Sequence, residues 1–223
     1  MLDLCIDLID PHHGYLWFVL RSHHCPPAVI TIINSILIQY PSNTHPISNI
    51  RIIMNIQVGD KAPQFNLVTL TEEGPQTVQL SDLVAKSTTV LLFVPMAFTG
   101  VCTQEFCSIT SELSVYNDLN AQVVGISGDN PFAQAAWAEK EGIGITLLSD
   151  YEHATAEAYG VAYESFLPEK NLIMGGVPKR SAFVVDQEGI VRYAEVNDSP
   201  GDLPDFEAIQ ACLKSLKQAA EML

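Results

Sequence analysis

Positive charge is scarce in this chain of 223 residues. Eleven lysines and arginines stand against 26 aspartates and glutamates, a formal charge of −15. A surface this acidic is repelled by nucleic acid and by anionic membrane, which argues against both as partners. Cysteine is sparse too. Its five copies (Cys5, Cys25, Cys102, Cys107 and Cys212) are odd in number and follow no regular framework. That argues against a disulfide-stapled secreted fold and fits a reducing, cytoplasmic compartment in which thiols are kept for reactivity. The chain also lacks internal repeats, Walker loops and long charge runs. What remains is length enough for one domain with a sizeable core.

The first 53 residues have their own deficits. They contain no lysine and no glutamate, yet carry five of the six histidines. Pro11, Pro26, Pro27, Pro41 and Pro46 cut them into short pieces without a clear amphipathic period. The apolar stretches 14–20 and 28–38 are too short to span a bilayer, and the acidic start lacks the positive charge of a secretory signal. His12-His13 and His23-His24-Cys25 match no zinc-ligand spacing. The expectation is that Met54 is the true start, that residues 1–53 are a mis-assigned upstream translation, and that 54–223 is the domain.

From Met54 onward short strands and helices alternate, the pattern of an α/β sheet with helices on its faces. Residues 65–70 and 77–80 predict a hairpin turning at Glu72-Glu73-Gly74-Pro75, and Ser81-Asp82-Leu83 a helix cap and start. Strands are expected at 89–94, 121–127 and 146–148, and helices at 103–118 and 152–159. Asn130-Pro131 caps a further helix. Residues 181–186 and 190–195 predict a hairpin, and 206–222 a closing amphipathic helix.

One segment carries reactive residues at a defined spacing. Pro95-Met96-Ala97-Phe98-Thr99-Gly100-Val101-Cys102 reads P-x-x-x-T-x-x-C and follows directly on the apolar run Thr89-Val90-Leu91-Leu92-Phe93-Val94. Cys102 therefore sits where a strand feeds the first turn of a helix. Free backbone N–H groups and the positive end of the helix dipole favour a thiolate there. A sulfur nucleophile is one reading of that place; a small buried core cysteine is the other.

This segment resembles the motif of the peroxiredoxins, thiol peroxidases on a thioredoxin-like fold, and two further segments extend the likeness. Gly59-Asp60-Lys61-Ala62-Pro63-Gln64-Phe65 is similar to the family's opening G-x-x-A-P-x-F, and Arg180-Ser181-Ala182-Phe183-Val184-Val185-Asp186 to its R-x-x-F-V-V-D strand. The resemblance covers about Met54 to the C-terminus. It implies an α/β thioredoxin-like fold, a central mixed sheet flanked by helices, and reduction of hydrogen peroxide and organic hydroperoxides without metal, haem or flavin. It makes Cys102 the peroxidatic cysteine, Thr99 the hydroxyl that hydrogen-bonds bound peroxide and Pro95 the wall that shields the sulfur. Arg180 becomes the cation for thiolate and transition state, and Glu105 the carboxylate that orients it. Each has a plainer reading: Thr99 a helix cap, Pro95 a strand end, Arg180 a solvated arginine, Glu105 a first-turn partner of the dipole.

Cys107 follows Cys102 by five residues, which resembles the bacterioferritin-comigratory (Q-type) branch and its resolving cysteine. In a helix, residues five apart lie about 8–9 Å apart between Cα atoms and are rotated by about 140°. A disulfide needs less than about 7 Å. The pair can close only if the first turns unwind, after which an external dithiol such as thioredoxin would recycle the enzyme. Cys107 also reads as a core residue. Ala97-Phe98-Thr99-Gly100 and Gly176-Val177-Pro178-Lys179-Arg180 are similar to the E-type branch, whose members can work with one cysteine. Cys212, in the closing helix, reads as structural. A disulfide oxidoreductase is disfavoured because Glu105 stands where C-x-x-C needs its second cysteine. A redox sensor or relay begins with the same chemistry. A monomer or a homodimer is expected.

Overall fold

The computed structural model describes residues 3–9 and 16–21 by their backbone, and residues 56–222 in full. The expected start at Met54, the two histidine clusters and Cys25 lie outside the described residues. The chain divides into two units, residues 1–51 and residues 52–223. In the first, Asp3–Ile9 (β1) and Leu16–Arg21 (β2) pair antiparallel as a two-stranded ribbon. Periodicity did not anticipate these strands, which are built from the apolar and aromatic residues that suit extended backbone.

The second unit is a seven-stranded mixed sheet flanked by helices, a thioredoxin-like fold. In chain order it comprises β3 (Asn66–Thr71), β4 (Gly74–Gln79), α1 (Leu80–Val84), β5 (Thr88–Phe93), α2 (Gly100–Ser111) and α3 (Leu113–Asp118). Then follow β6 (Ala121–Ser127), α4 (Pro131–Glu141), β7 (Thr146–Ser149), α5 (Ala154–Ala158), β8 (Ser181–Val185), β9 (Val191–Val196) and α6 (Phe206–Glu221). The strand order is β4-β3-β7-β6-β5-β8-β9. β5, β6 and β7 run parallel, and antiparallel pairs complete both edges.

Alternation along the central strands builds two cores. Val90 and Leu92 of β5, with Ala182 and Val184 of β8, face Phe106 and Ile109 of α2, Trp137 of α4 and Ile209 and Leu213 of α6. Leu91, Phe93, Phe183 and Val185 point the other way, onto Leu80 and Leu83 of α1, Ala156 of α5 and Tyr159. Successive side chains of a strand lie on opposite faces, so a strand covered on both sides reads as a continuous apolar run.

Several local expectations shift. The first hairpin turns on Glu72-Glu73 alone, and Pro75 lies inside β4, paired with Leu70. Thr71 Oγ1 closes the turn by donating to Gly74 O and accepting from Glu73 N–H. Ser81 caps nothing: α1 begins at Leu80, after Gln79. The helix expected over 103–118 is two helices that break at Glu112, whose φ of −107° and ψ of 9° leave the helical region. The hydroxyls of Thr110 and Ser111 bond back to Phe106 O and Ser108 O just before the break, contacts that weaken and bend a helix. The helix expected from 152 begins at Ala154, after a left-handed His153. Asn130 does cap α4, accepting from Ala133 N–H with Pro131 at the first helical position.

Candidate active site

The C-terminal ends of the parallel strands open onto the segment 94–102. Val94 N–H still bonds Ile126 O at 2.9 Å. Pro95, buried and without an N–H, then releases the chain from the ladder. The backbone turns through Met96-Ala97-Phe98, with Phe98 at a φ of 61°. α2 starts at Gly100, so Cys102 lies in its first turn, 1% exposed. Thr99 occupies the N-cap position, but its hydroxyl caps nothing and donates to Met96 O at 2.9 Å.

Arg180 enters at the start of β8, the antiparallel neighbour of β5. In that register Ser181 pairs with Phe93, so the residue before β8 stands beside the residues after β5. Its side chain is 1% exposed and is almost wholly committed to hydrogen bonds. Nη1 donates to the Glu105 carboxylate, and Nη2 lies 3.3 Å from Cys102 Sγ. Nε and Nη2 both donate to Pro200 O, at 3.1 and 2.8 Å. The planar fork serves three partners from fixed directions in one plane, a geometry that a lysine ammonium does not present.

Glu105 is fully buried. Burial pushes its pKa up to about 7, against the pull of the Arg180 charge and hydrogen bond. Burial also opposes the charge on Arg180, yet the Cys102 sulfur and the Glu105 carboxylate hold its pKa above the usual arginine value. The cation is permanent, and it faces the sulfur.

Five of the expected residues thus come together: Cys102, Arg180 and Glu105 in direct contact, Thr99 and Pro95 on the segment that leads into α2. Cys107 stands apart. It is half-buried against the α2–α4 core, and its thiol points to Glu141 O, 3.5 Å away. α2 runs unbroken from Gly100 to Ser111, so both cysteines belong to one intact helix. Cys212 lies near Arg192 O at 3.7 Å, and burial raises its pKa. Cys102, Cys107 and Cys212 are all free thiols.

Residues 58–194 match the AhpC/TSA family. The chain belongs to that family, the peroxiredoxins. It is 33% identical over 152 residues to the alkyl hydroperoxide reductase E of Mycobacterium bovis, covering 67% of this chain and 91% of that one. It is 32% identical over 152 residues to a chloroplastic 2-cysteine peroxiredoxin of Chattonella marina var. antiqua, covering 65% and 73%. Among solved structures, peroxidoxin BcpB from Mycobacterium tuberculosis superposes with a TM-score of 0.62 at 28% identity, covering 73% of this chain and all but 1% of that one. As a peroxiredoxin the chain is a thiol-dependent peroxidase that acts through a peroxidatic cysteine.

Sequence reasoning missed three participants. The Pro200 carbonyl that holds Arg180 is a backbone group, and no side-chain motif reports it. Trp137 Nε1 donates to Thr103 Oγ1 at 3.0 Å, tying the first turn of α2 to α4. Asp129 Oδ2 accepts from Ala97 N–H at 2.8 Å. The register of β5 against β6 is the one signal that could have found it.

Proposed function

We propose that Cys102 is the peroxidatic cysteine and that it reduces hydrogen peroxide and organic hydroperoxides. The supporting observation is the buried Arg180, whose guanidinium touches the Cys102 sulfur on one side and the Glu105 carboxylate on the other. The Cys102 thiolate attacks one peroxide oxygen, the O–O bond breaks, and the distal oxygen leaves with the electron pair as water or alcohol once protonated. Cys102 becomes a sulfenic acid. Arg180 meets the charge that develops on sulfur and oxygen, and Glu105 keeps its fork in plane. Because the Thr99 hydroxyl spends its proton on Met96 O, its oxygen is left to accept the peroxide O–H. Pro95 seals the sulfur from the strand side.

Cys107 is the resolving thiol in this reading. The first turns of α2 unwind, the Cys107 sulfur displaces water from the sulfenic acid, and a Cys102–Cys107 disulfide forms. Thioredoxin or a similar cytosolic dithiol then reduces it. The contact of Cys107 with Glu141 O favours a second reading, in which Cys107 stays in the core and an external thiol attacks the sulfenic acid. A redox relay to a partner protein would share the first step and lack sustained turnover.

Intact mass after one equivalent of hydrogen peroxide, with free thiols counted, decides among them. A product about 2 Da lighter that has lost the Cys102 and Cys107 thiols is expected for the two-cysteine cycle. One about 16 Da heavier, trapped at Cys102, marks a one-cysteine enzyme. No rapid change at Cys102 overturns the assignment.

A further inference from the structure

The segment between β5 and α2 holds an unusual conformation. Phe98 sits at a φ of 61°, a left-handed region that bulky residues rarely enter, and it is 49% exposed, so burial of its ring does not account for it. Strained backbone of this kind persists where the surroundings over-determine it. Two hydrogen bonds flank the residue. One is local, from Thr99 Oγ1 to Met96 O. The other arrives from 32 residues away, where Asp129 Oδ2 accepts Ala97 N–H at 2.8 Å.

The second bond follows from topology. β5 and β6 are parallel, with Phe93 opposite Ile126, so both chains leave the sheet side by side at the same end. Asp129 lies three residues beyond Ile126 and Ala97 four beyond Phe93. The carboxylate is itself anchored. Ser127 Oγ donates to the same Oδ2 at 2.8 Å, and Gln134 Nε2 bridges Ser127 Oγ and Leu148 O at 3.0 and 2.9 Å. Ser149 Oγ donates to Asp129 O at 2.7 Å. Ser127 of β6 thus anchors the carboxylate oxygen directly, Gln134 of α4 braces Ser127, and Ser149 of β7 holds the Asp129 main chain. That oxygen in turn holds one backbone N–H of the segment carrying Pro95 and Thr99. The cap of α4 is Asn130, so Asp129 is not required for that task.

We propose that Asp129 is a positioning residue for peroxide reduction. Its carboxylate oxygen fixes Ala97, and through Ala97 the Met96–Thr99 turn, so that the Thr99 hydroxyl is held in place at the start of α2 before peroxide arrives. The inference rests on the reading that Cys102 and Thr99 handle the peroxide. Displacing one reacting group by a fraction of an ångström costs rate out of proportion to the energy of the lost bond. The Arg180–Cys102–Glu105 contacts involve none of these residues, so the reactivity of the sulfur toward a small alkylating agent is left alone.

The test compares Asp129→Ala and Asp129→Asn with the wild type in two rates: kcat/KM for hydrogen peroxide, and alkylation of Cys102 by iodoacetamide. D129A is expected to lose about tenfold in peroxide rate while alkylation holds. D129N keeps an acceptor oxygen for Ala97 N–H and is expected to recover most of the loss. Three results overturn the inference: D129A within twofold of wild type, both rates falling together, or D129N as slow as D129A. If D129A does not fold, Ser127→Ala loosens the same oxygen, and an unchanged peroxide rate in that variant is equally fatal. A wild type inert to peroxide defeats the assignment of Cys102 as well, whereas an active wild type matched by D129A defeats the role of Asp129 alone.

Discussion

At the scale of single residues, the site is governed by what burial does to two opposite charges. Arg180 is fully buried and holds Glu105, Cys102 and Pro200 O together, so the variant Arg180→Lys keeps the charge and loses the fork. Stopped-flow assays of R180K are expected to show peroxide reduction slowed about a hundredfold or more. Glu105 makes a pH prediction. Its folded pKa of about 7 lies above its ordinary value of 4.5, because burial outweighs the attraction of Arg180. The folded state therefore binds the proton more tightly than the unfolded state. Its contribution to stability is fully present below 4.5 and is lost as pH rises through about 7, on the order of 3 kcal/mol in all. Glu105→Gln is expected to flatten the fall in denaturation free energy between those two pH values. An identical pH slope in the variant would refute the upward shift.

At the scale of elements, α2 is held where it is by a missing side chain. A Cβ on Gly125, in the middle of β6, would lie 2.5 Å from Phe106 Cζ and 2.9 Å from Leu147 Cδ2. The Phe106 ring needs that space to pack against Trp137, with ring centroids 5.3 Å apart. Gly125→Ala is expected to destabilise the fold by about 1–3 kcal/mol in urea titration, since neither neighbour can move without disturbing the core. In the proposed two-cysteine cycle, the packing of Phe106 on Trp137 opposes the unwinding of α2 that would let Cys107 reach Cys102. Trp137→Phe removes the bond to Thr103 Oγ1 and keeps a smaller aromatic ring against Phe106. Disulfide formation after sulfenic acid is expected to speed up in W137F by about fivefold, read by the appearance of the lighter product. A slower or unchanged step would show that this bond does not restrain the unwinding.

At the scale of the whole molecule, charge separates the two halves of the cycle. Hydrogen peroxide is neutral, so its reduction is expected to be indifferent to salt. An acidic dithiol protein meets a chain of net charge −15, and its second-order rate is expected to rise as ionic strength increases from about 20 to about 200 mM. A rate of reduction that falls with salt would point to a basic reductant instead.

What the sequence alone determined is local in character. An apolar run flanked by Pro95 and followed by a helix start placed Cys102 in a first turn, because strand and helix signals depend on neighbours a few residues apart. Asn130-Pro131 announced α4 for the same reason. Arg180 and Glu105 were legible through likeness to a family, since no periodicity links residues 75 apart. The tertiary structure alone decided the rest. That Glu105 faces inward to Arg180 rather than outward to solvent depends on how α2 lies against β8. The Pro200 carbonyl on Arg180 and the Asp129 carboxylate on Ala97 arise from strand register and loop return, which bring together groups whose own sequence carries no mark of each other. The break at Glu112 likewise follows hydroxyls of Thr110 and Ser111 that bond back onto the helix, contacts visible only once the helix is built. Local propensity chooses elements, and only their packing chooses which atoms meet.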